Sequence, residues 1–199
     1  IIYLPPGRAV ALFYDGPNAL AAGDTISFEV QTVDMNGTID ATYDAYIMPE
    51  IDSDEFVLID PSSGVWDGDV IPVVGGSREL WLTVPSPCEF DIQFSDGEER
   101  GFFDGGFLRS SQVVEFEVLP TSGTLAGRYE LYSTNSMWVF RTGIPQRIDI
   151  VAVDDDGAVD KTYSGSVVVS VTGSATLSEG TVTMANGFGS VTVSDNVQE

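Results

Sequence analysis

Residues 34–43 read DMNGTIDATY, and residues 154–163 repeat this pattern as DDDGAVDKTY. The two segments match without a gap at an offset of 120 positions, and the same offset aligns Gly7-Arg8 with Gly127-Arg128. It also aligns Gly23 with Gly143 and Val33 with Val153. Self-similarity at a fixed offset is typical of repeated structural units, so the sequence predicts two tandem copies of one module.

Both copies have the residue pattern of β-strands. Apolar and polar residues alternate before each repeated turn, with inward positions at Ile26, Phe28, Val30 and Thr32 in the first copy and at Ile148, Ile150 and Ala152 in the second. Further strands are predicted over residues 80–84, 88–94, 114–118, 167–171 and 191–193. Period-two alternation broken by Gly, Asp, Asn and Pro is typical of half-buried strands in a sandwich. No segment has helical periodicity, so we expect an all-β fold.

The boundary between the copies is predicted near residue 120. Residues 114–119 resemble a last strand, residues 120–123 a short linker, and residues 127–131 a new first strand. We therefore expect one module over residues 1–120, with an apolar strand at its start, and a second over residues 121–199.

The second copy ends early. In the first copy, the strand at residues 80–84 is followed by two more strands, whereas the equivalent strand of the second copy ends near Val193 and the sequence stops at Glu199. A sandwich without those strands would expose an apolar groove and unpaired backbone. Three explanations are open: the chain is cut from a longer array, a neighbour donates a strand with residues 1–14 as the natural donor, or the second copy closes differently.

With its strand, Asp-x-x-Gly turn and Thr-Tyr pair, the repeated segment resembles the Ig-like repeats of bacterial and archaeal surface proteins. SGVWDG at residues 63–68 and NGFGSVTV at residues 186–193 are similar to later strands of such repeats. The resemblance covers most of both copies and implies two tandem Ig-like β-sandwich modules, the second lacking its last strands. It implies little about function, because such modules serve as stalks, lattice units and adhesins alike.

Composition excludes several classes of function. The 199 residues include 31 Asp and Glu, 8 Lys and Arg and no His, for a formal net charge of −23. Without His, Ser-His and Cys-His nucleophile pairs and the usual catalytic zinc sites are excluded. Nucleic acid and anionic lipid are unfavourable partners, because both require clustered cations. No apolar run reaches the roughly 18 residues of a membrane span.

The same composition indicates an extracellular location. The chain has one lysine against seven arginines, and acidic, lysine-poor surfaces stay soluble where salt screens the repulsion between carboxylates. The sequence begins at Ile1 rather than Met, which indicates either a removed targeting segment or a fragment.

The repeated turns are candidate calcium sites, because Ca²⁺ takes carboxylate and carbonyl oxygens. The candidate ligands are Asp34, Asn36 and Asp40 in the first copy and Asp154, Asp156 and Asp160 in the second, with Asp60 or Asp195 as possible additions. The spacing is not that of an EF-hand, and one turn supplies few ligands. The alternative is a tight turn in which Gly37 or Gly157 supplies a positive φ and the Asp side chains cap the backbone.

Other candidate sites are weaker. Asn36-Gly37-Thr38 is an N-glycosylation sequon at a turn. Cys88 lies on the apolar face of a strand, where a buried, inert thiol is expected. Most carboxylates, such as Glu29, Glu115, Glu117 and Asp149, occupy outward positions of strands and indicate a solvated face rather than the facing carboxylate pair of a glycosidase.

Exposed aromatic residues are candidate contact surfaces. Trp66, Trp81 and Trp138 could stack on sugars, and Trp81 is predicted to point outward from its strand. Phe102, Phe103 and Phe107 lie in a glycine-rich segment that could contact another subunit or fold locally. Packing within the protein is the favoured alternative for the tryptophans.

Together these observations predict a non-enzymatic structural module of a microbial surface layer, filament or stalk, which self-associates or belongs to a longer array, with Ca²⁺ as a possible cofactor. An adhesin or carbohydrate-binding module is the alternative, and a virion decoration protein a further one. No nucleic-acid partner is expected.

Overall fold

The computed structural model describes residues 9–14, 16–34, 36–42, 44–53, 58–59, 70–96, 111–133 and 142–197. Within these ranges the chain forms β-strands and no helix, so the all-β prediction is confirmed. No helix in the described part of the chain has the length and apolar character needed to cross a membrane.

The strands are numbered in chain order. Their bounds are β1 Ala9–Phe13, β2 Ala19–Ala21, β3 Thr25–Val33, β4 Ala45–Ser53, β5 Leu58–Ile59, β6 Ile71–Val73, β7 Ser77–Thr83, β8 Cys88–Asp96, β9 Val114–Leu119, β10 Thr121–Ser122, β11 Arg128–Ser133, β12 Gln146–Val153, β13 Val159–Asp160, β14 Gly165–Val168, β15 Thr176–Leu177, β16 Thr181–Met184 and β17 Phe188–Ser194.

Contacts within the chain define two compact units. The first comprises residues 1–16 and 23–114, and the second comprises residues 17–22 and 115–199. The segment Pro17–Ala22, which includes β2, therefore belongs to the second unit although it lies within the sequence of the first.

The first unit is a β-sandwich. One sheet has the antiparallel order β1-β3-β7-β5, and in the other β4 pairs with β8 along one edge and β6 along the other. Leu80 and Leu82 of β7 are fully buried, as is Phe94 of β8. The rings of Phe28 and Phe94 lie 5.7 Å apart and join the two layers. The alternation of the sequence thus predicts which side chains fill this core.

The second unit repeats most of this arrangement. Its central strand β12 pairs with β11 along one edge and with β17 along the other, and β15 extends the sheet beyond β17. A second sheet consists of β14 and β16. Ile148, Ile150 and Ala152 of β12 pack against Val182 and Met184 of β16, as their inward positions in the sequence predict.

The repeated turn has the same geometry in both units. The Asp34 N–H donates to the Thr38 carbonyl and the Asp154 N–H to the Ala158 carbonyl, each at 2.9 Å. Gly37 and Gly157 have φ values of 78° and 84°, a region that residues with a Cβ rarely adopt. The predicted role of these two glycines is confirmed.

A second pair of glycines shows which later strands of the two units correspond to each other. The carbonyls of Gly76 and Gly187 accept the N–H groups of Thr32 and Ala152 at 2.9 and 2.8 Å. Since each glycine immediately precedes β7 or β17, these two strands correspond. By the same reasoning β4, β5 and β6 correspond to β14, β15 and β16.

The first strands of the two units, β1 and β11, correspond to each other with a shift of one residue from the offset of 120 positions. Leu12 lies opposite Val30 in the first unit, and Leu131 lies opposite Ile150 in the second. Val30 and Ile150 are themselves 120 positions apart, so the pairing matches Leu12 with Leu131 rather than with Tyr132. The offset that aligns Gly7-Arg8 with Gly127-Arg128 does not continue into the pairing of β1 and β11.

The predicted linker at residues 120–123 is part of the second unit. Thr121 and Ser122 form β10, which pairs in parallel with β13, and the Pro120 carbonyl accepts the N–H of Val159 at 2.7 Å. These residues are therefore not a free linker, because β10 pairs with the edge of β13, the short strand that follows the turn after β12.

Candidate functional site

The first repeated turn binds its own backbone. Asp34 Oδ1 accepts the N–H groups of Asn36 and Thr38 at 2.8 and 3.0 Å. These two donors, Thr38 first, lower the pKa of the Asp34 carboxyl. Asp40 Oδ1 accepts both the N–H and the hydroxyl of Thr42. The carboxylates therefore act as acceptors that hold the turn in shape.

The second repeated turn is the same and more deeply buried. Asp154 Oδ1 accepts the N–H groups of Asp156 and Ala158, both at 3.0 Å. Asp160 Oδ1 accepts the N–H and hydroxyl of Thr162, and its Oδ2 accepts the N–H of Ala126 at 2.9 Å. Asp154 and Asp160 are 6% and 1% exposed.

Hydrogen bonds lower the pKa of both carboxyls of the second turn. For Asp154 the main donors are the Ser122 hydroxyl and the Ala158 N–H. For Asp160 they are the Thr162 hydroxyl and the Ala126 N–H. The hydrogen bonds within the turn therefore favour the ionised form of both carboxyl groups.

The arrangement of these turns bears on the calcium prediction for Asp34, Asn36, Asp40, Asp154, Asp156 and Asp160. Within the described ranges, no group of three or more His, Cys, Asp or Glu side chains is placed to hold a metal ion. Asp195 Oδ1 accepts the Val197 N–H and the Ser174 hydroxyl, and Asp60 lies outside the described residues. Backbone capping accounts for the repeated Asp pattern, and calcium binding stays a prediction.

The other predicted sites are only partly described. Asn36 of the sequon is exposed at the tip of the turn, and its glycosylation stays a prediction. Trp81 is 41% exposed and points outward from β7, as predicted. Cys88 is half-buried on the face of β8 that carries Phe90. Trp66, Trp138, Phe102, Phe103 and Phe107 lie outside the described residues.

Asp149 is not on a solvated face, contrary to the prediction. Its side chain is 1% exposed, its Oδ1 accepts Arg147 Nε at 2.7 Å, and its Oδ2 accepts the N–H of Asn18 at 2.8 Å. The reason is that β12 is covered on both faces of its sheet. Alternation along β12 shows that Asp149 points away from Ile150, but not that a segment 131 residues away in the sequence covers it.

A second apolar cluster covers the outer face of β12. Val151 and Val153, both fully buried, pack with Ala19 and Ala21 of β2 and with Leu119 of β9. β2 pairs in parallel with β9, which brings these small side chains to the cluster. The second unit therefore has one cluster on each face of its central strand.

The inner face of β11 is exposed where the same face of β1 is buried. Val10 and Leu12 are each 3% exposed, whereas Tyr129 and Leu131 are 45% and 52% exposed. The pairing places these residues on the inner face, since Tyr129 and Leu131 lie opposite Ala152 and Ile150 of the core. The residues of the two strands do not account for this difference, because both strands carry large apolar or aromatic side chains at these positions.

The facing sheet shows the same contrast. Ile47 and Pro49 of β4 are buried, whereas the corresponding Val167 and Val169 are half-buried. β4 has a partner strand on both edges. β14 has β16 on one edge, and no strand in the described part of the chain pairs with the other.

In the first unit, the strand that covers the equivalent inner-face residues is β8. In the first unit this strand places Phe90, Ile92 and Phe94, all 2% exposed or less, in the core. The described residues of the second unit contain no strand in the equivalent place. We call the second edge of β14, together with the inner-face residues Tyr129, Leu131, Val167 and Val169, the open edge; it is the candidate functional site.

No protein-family model matches the sequence, and no curated protein is significantly similar to it. Among solved structures, a β-glucuronidase of Parabacteroides merdae has a TM-score of 0.45 at 12% identity, covering 95% of this chain and 22% of that one. The D0-D1 domain of intimin has a TM-score of 0.41 at 15% identity, covering 96% and 86%.

Invasin, a bacterial integrin-binding protein, has a TM-score of 0.35 at 13% identity, covering 96% of this chain and 34% of that one. The chain thus spans about a fifth of the glucuronidase and a third of invasin, and most of the intimin fragment. TM-scores below 0.5 at such identities say nothing about activity or partners.

Proposed function

We propose that the chain is a non-enzymatic structural module of a microbial extracellular surface structure, such as a surface layer, filament or stalk, and that it assembles by strand complementation and cation bridging. The observation that carries this proposal is the open edge. Exposed strand edges next to apolar side chains favour pairing with another chain. A module of this kind needs no catalytic group, because its role is to set the spacing between its neighbours.

The extracellular location is supported by composition. A net charge of −23 makes separate copies of the chain repel one another unless cations screen their carboxylates. Assembly should therefore depend on ionic strength and on divalent cations, which are abundant outside cells.

The test is the mass of the purified full chain in solution, measured by light scattering with millimolar Ca²⁺ and then with a chelator. Assemblies larger than a monomer support the proposal, and loss of assembly with the chelator supports cation bridging. A chain with Asp34→Asn and Asp154→Asn separates binding at the turns from general screening by calcium. A monomer under all conditions contradicts the proposal.

A carbohydrate-binding module is the second candidate, favoured by the position of Trp81. Its side chain lies opposite Ser27 on the outer face of the first unit, and the next outward pair along these strands is Glu29 and Glu79. An exposed indole beside hydroxyl and carboxylate groups is a combination that can stack on and hydrogen-bond to a sugar. Binding on a glycan array that Trp81→Ala abolishes and Tyr46→Ala, at another exposed aromatic, leaves intact would support it.

A further inference from the structure

We propose that Tyr129 and Tyr163 form a site of oxidative modification, at which hydrogen peroxide and a peroxidase join the two rings in a dityrosine cross-link that staples the second unit. The inference goes beyond the proposed function, because it concerns covalent chemistry within one unit and not what that unit binds. It is argued from two side chains that lie 34 positions apart in the sequence and meet in the fold.

The two phenols are in direct contact. Their hydroxyl oxygens lie 2.6 Å apart, so one phenol donates a hydrogen bond to the other. The ring centroids lie 5.8 Å apart, and the ring planes are inclined at 70°. The carbons that couple in a dityrosine are the ortho carbons, which adjoin the hydroxyl-bearing carbons. The hydrogen bond therefore holds the reactive edges of the two rings near each other.

Both side chains project from backbone that is fixed by hydrogen bonds. Tyr129 belongs to β11 and lies opposite Ala152 of the central strand β12. The Tyr163 N–H donates to the Asp160 carbonyl at 3.1 Å, and the Tyr163 carbonyl accepts the Gly187 N–H at 3.0 Å. Groups held side by side react as if at very high concentration. The two rings should therefore couple with each other before either one meets a second copy of the chain.

The surroundings of the pair hold one ring and leave the other accessible. A Cβ added to Gly165 would lie 3.2 Å from the Tyr163 hydroxyl oxygen, so this glycine leaves room for the ring. The Tyr163 side chain also packs against the inner cluster that contains Ile150 and Met184. The Tyr129 side chain is 45% exposed, and an oxidant can therefore reach the pair through Tyr129.

The pair is not part of the repeat. Tyr163 has the counterpart Tyr43 in the repeated segment, but the first-unit residue that corresponds to Tyr129 is Val10. The other tyrosine of β11, Tyr132, packs against the cluster on the outer face of β12. The second unit thus carries a phenol where the first unit carries an aliphatic side chain.

The reaction balances as two one-electron oxidations. The peroxidase, oxidised by hydrogen peroxide, removes one electron and one proton from each phenol, and these reduce one hydrogen peroxide to two molecules of water. The two phenoxyl radicals form a carbon–carbon bond between one ortho carbon of each ring. Each of these carbons then loses its hydrogen as a proton, and each phenoxyl oxygen gains a proton, which restores both aromatic rings.

The cross-link closes a loop within the second unit. It joins β11 to the segment that follows β13, and it restricts the unfolded chain between the two residues. In the chain-entropy account, a covalent bond across a loop of this length stabilises the folded state by reducing the entropy of the unfolded state. The Tm of the cross-linked chain should rise by at least about 5 °C.

The experiment treats the dilute full chain with hydrogen peroxide and a haem peroxidase, and then separates cross-linked copies from single chains under denaturing conditions. Single chains should show dityrosine fluorescence, with a yield per chain that does not change when the protein is diluted further. Mass spectrometry of digested single chains should identify a cross-linked pair of peptides that contain Tyr129 and Tyr163. Denaturing separation makes this result independent of whether the native chain assembles.

Phenylalanine variants locate the cross-link. Tyr129→Phe and Tyr163→Phe each keep the ring and remove one hydroxyl, so either should abolish the dityrosine signal of single chains. Tyr46→Phe makes the same change at a tyrosine that is 47% exposed in the first unit and should leave the signal intact. Circular dichroism and Tm before oxidation verify that the three variants fold.

Three results would overturn the inference. The first is dityrosine confined to cross-linked copies of the chain, and the second is a signal in single chains that Tyr129→Phe leaves unchanged. The third is a Tm that does not rise on oxidation, or that rises equally in the Tyr129→Phe variant, since the pair would then not act as a staple. None of these results bears on the proposed assembly.

Discussion

Leu12 and Leu131 hold the same position in two copies of one module, yet they are 3% and 52% exposed. Each lies opposite the matching residue of the central strand, Val30 or Ile150. The difference comes from the opposite layer, where the first unit has β8 and the described part of the second has no equivalent. Repetition of a sequence therefore repeats the strands and turns but not the burial, which depends on what lies across the core.

The largest effect is expected from the two leucines themselves. Leu12→Ala should destabilise the chain by about 2–5 kcal/mol, because it leaves a cavity in a packed core. Leu131→Ala should change stability by no more than about 0.5 kcal/mol, since its side chain is half in water. Urea unfolding of both variants measures the difference. Equal losses would mean that the second unit is covered in solution.

The next comparison concerns a feature that the two units share. A Cβ added to Gly76 or Gly187 would lie 2.7 Å from the carbonyl oxygen of Asp40 or Asp160, and both glycines have positive φ values, 82° and 85°. Alanine at either position should destabilise its unit by about 1–3 kcal/mol through backbone strain. The same unfolding measurement applies, and a large effect at one glycine alone would contradict the structural equivalence of the turns.

A third comparison tests the two faces of the central strands. Asp149 and Glu29 are 120 positions apart, but Asp149 is buried between Arg147 and Asn18. Asp149→Ala should cost about 1–3 kcal/mol, because the partly buried N–H of Asn18 and the Arg147 guanidinium lose their acceptor. Glu29→Ala, which removes a hydrogen bond with Ser77, should cost less than about 1 kcal/mol. Thermal unfolding of both variants distinguishes them, and a reversed order would be inconsistent with a covered outer face.

The smallest effect is expected from acid. The pKa values of Asp34, Asp154 and Asp160 are lowered in the folded chain by donors within the turns. A lowered folded pKa contributes stability above the unfolded value of about 3.9, and this stability is lost as the pH falls through the folded pKa. The Tm should therefore fall below about pH 4.

The loss of stability at low pH should depend on the carboxylates of the repeated turns. A chain with Asp154→Asn and Asp160→Asn should be less stable at pH 7 and lose less of its remaining stability between pH 5 and pH 3. The matched control is Asp34→Asn with Asp40→Asn. An unchanged pH profile in both double variants would mean that other carboxyls dominate.

The sequence predicted the repeated parts well. Period-two alternation located β3, β7, β8, β9 and β12, and the Asp-x-x-Gly pattern gave the turns, because both signals arise between neighbouring residues. The sequence predicts a linker over residues 120–123, because a two-residue strand such as Thr121–Ser122 has no periodicity. Its pairing with β13 depends on where the chain returns.

The burial of Asp149 could not be predicted for a related reason, and the exposure of Leu131 does not follow from the residues of β11 themselves. Alternation assigns a residue to one of two faces, and burial then depends on distant segments. Asn18 covers Asp149 from 131 positions away, while the absence of a described β8 counterpart uncovers Leu131. The candidate site is thus defined by long-range packing.

The segment Pro17–Ala22 has a consequence for how this chain evolves and is made. It supplies Ala19 and Ala21 to a cluster whose other members, Leu119 and Val151, are synthesised about a hundred residues later. On the ribosome, Ala19 and Ala21 are made well before Leu119 and Val151, so this cluster cannot form until the later residues have been synthesised. A gene segment cut at residue 120 would leave them behind, so the second repeat cannot be shuffled as an independent cassette without losing part of its own interior.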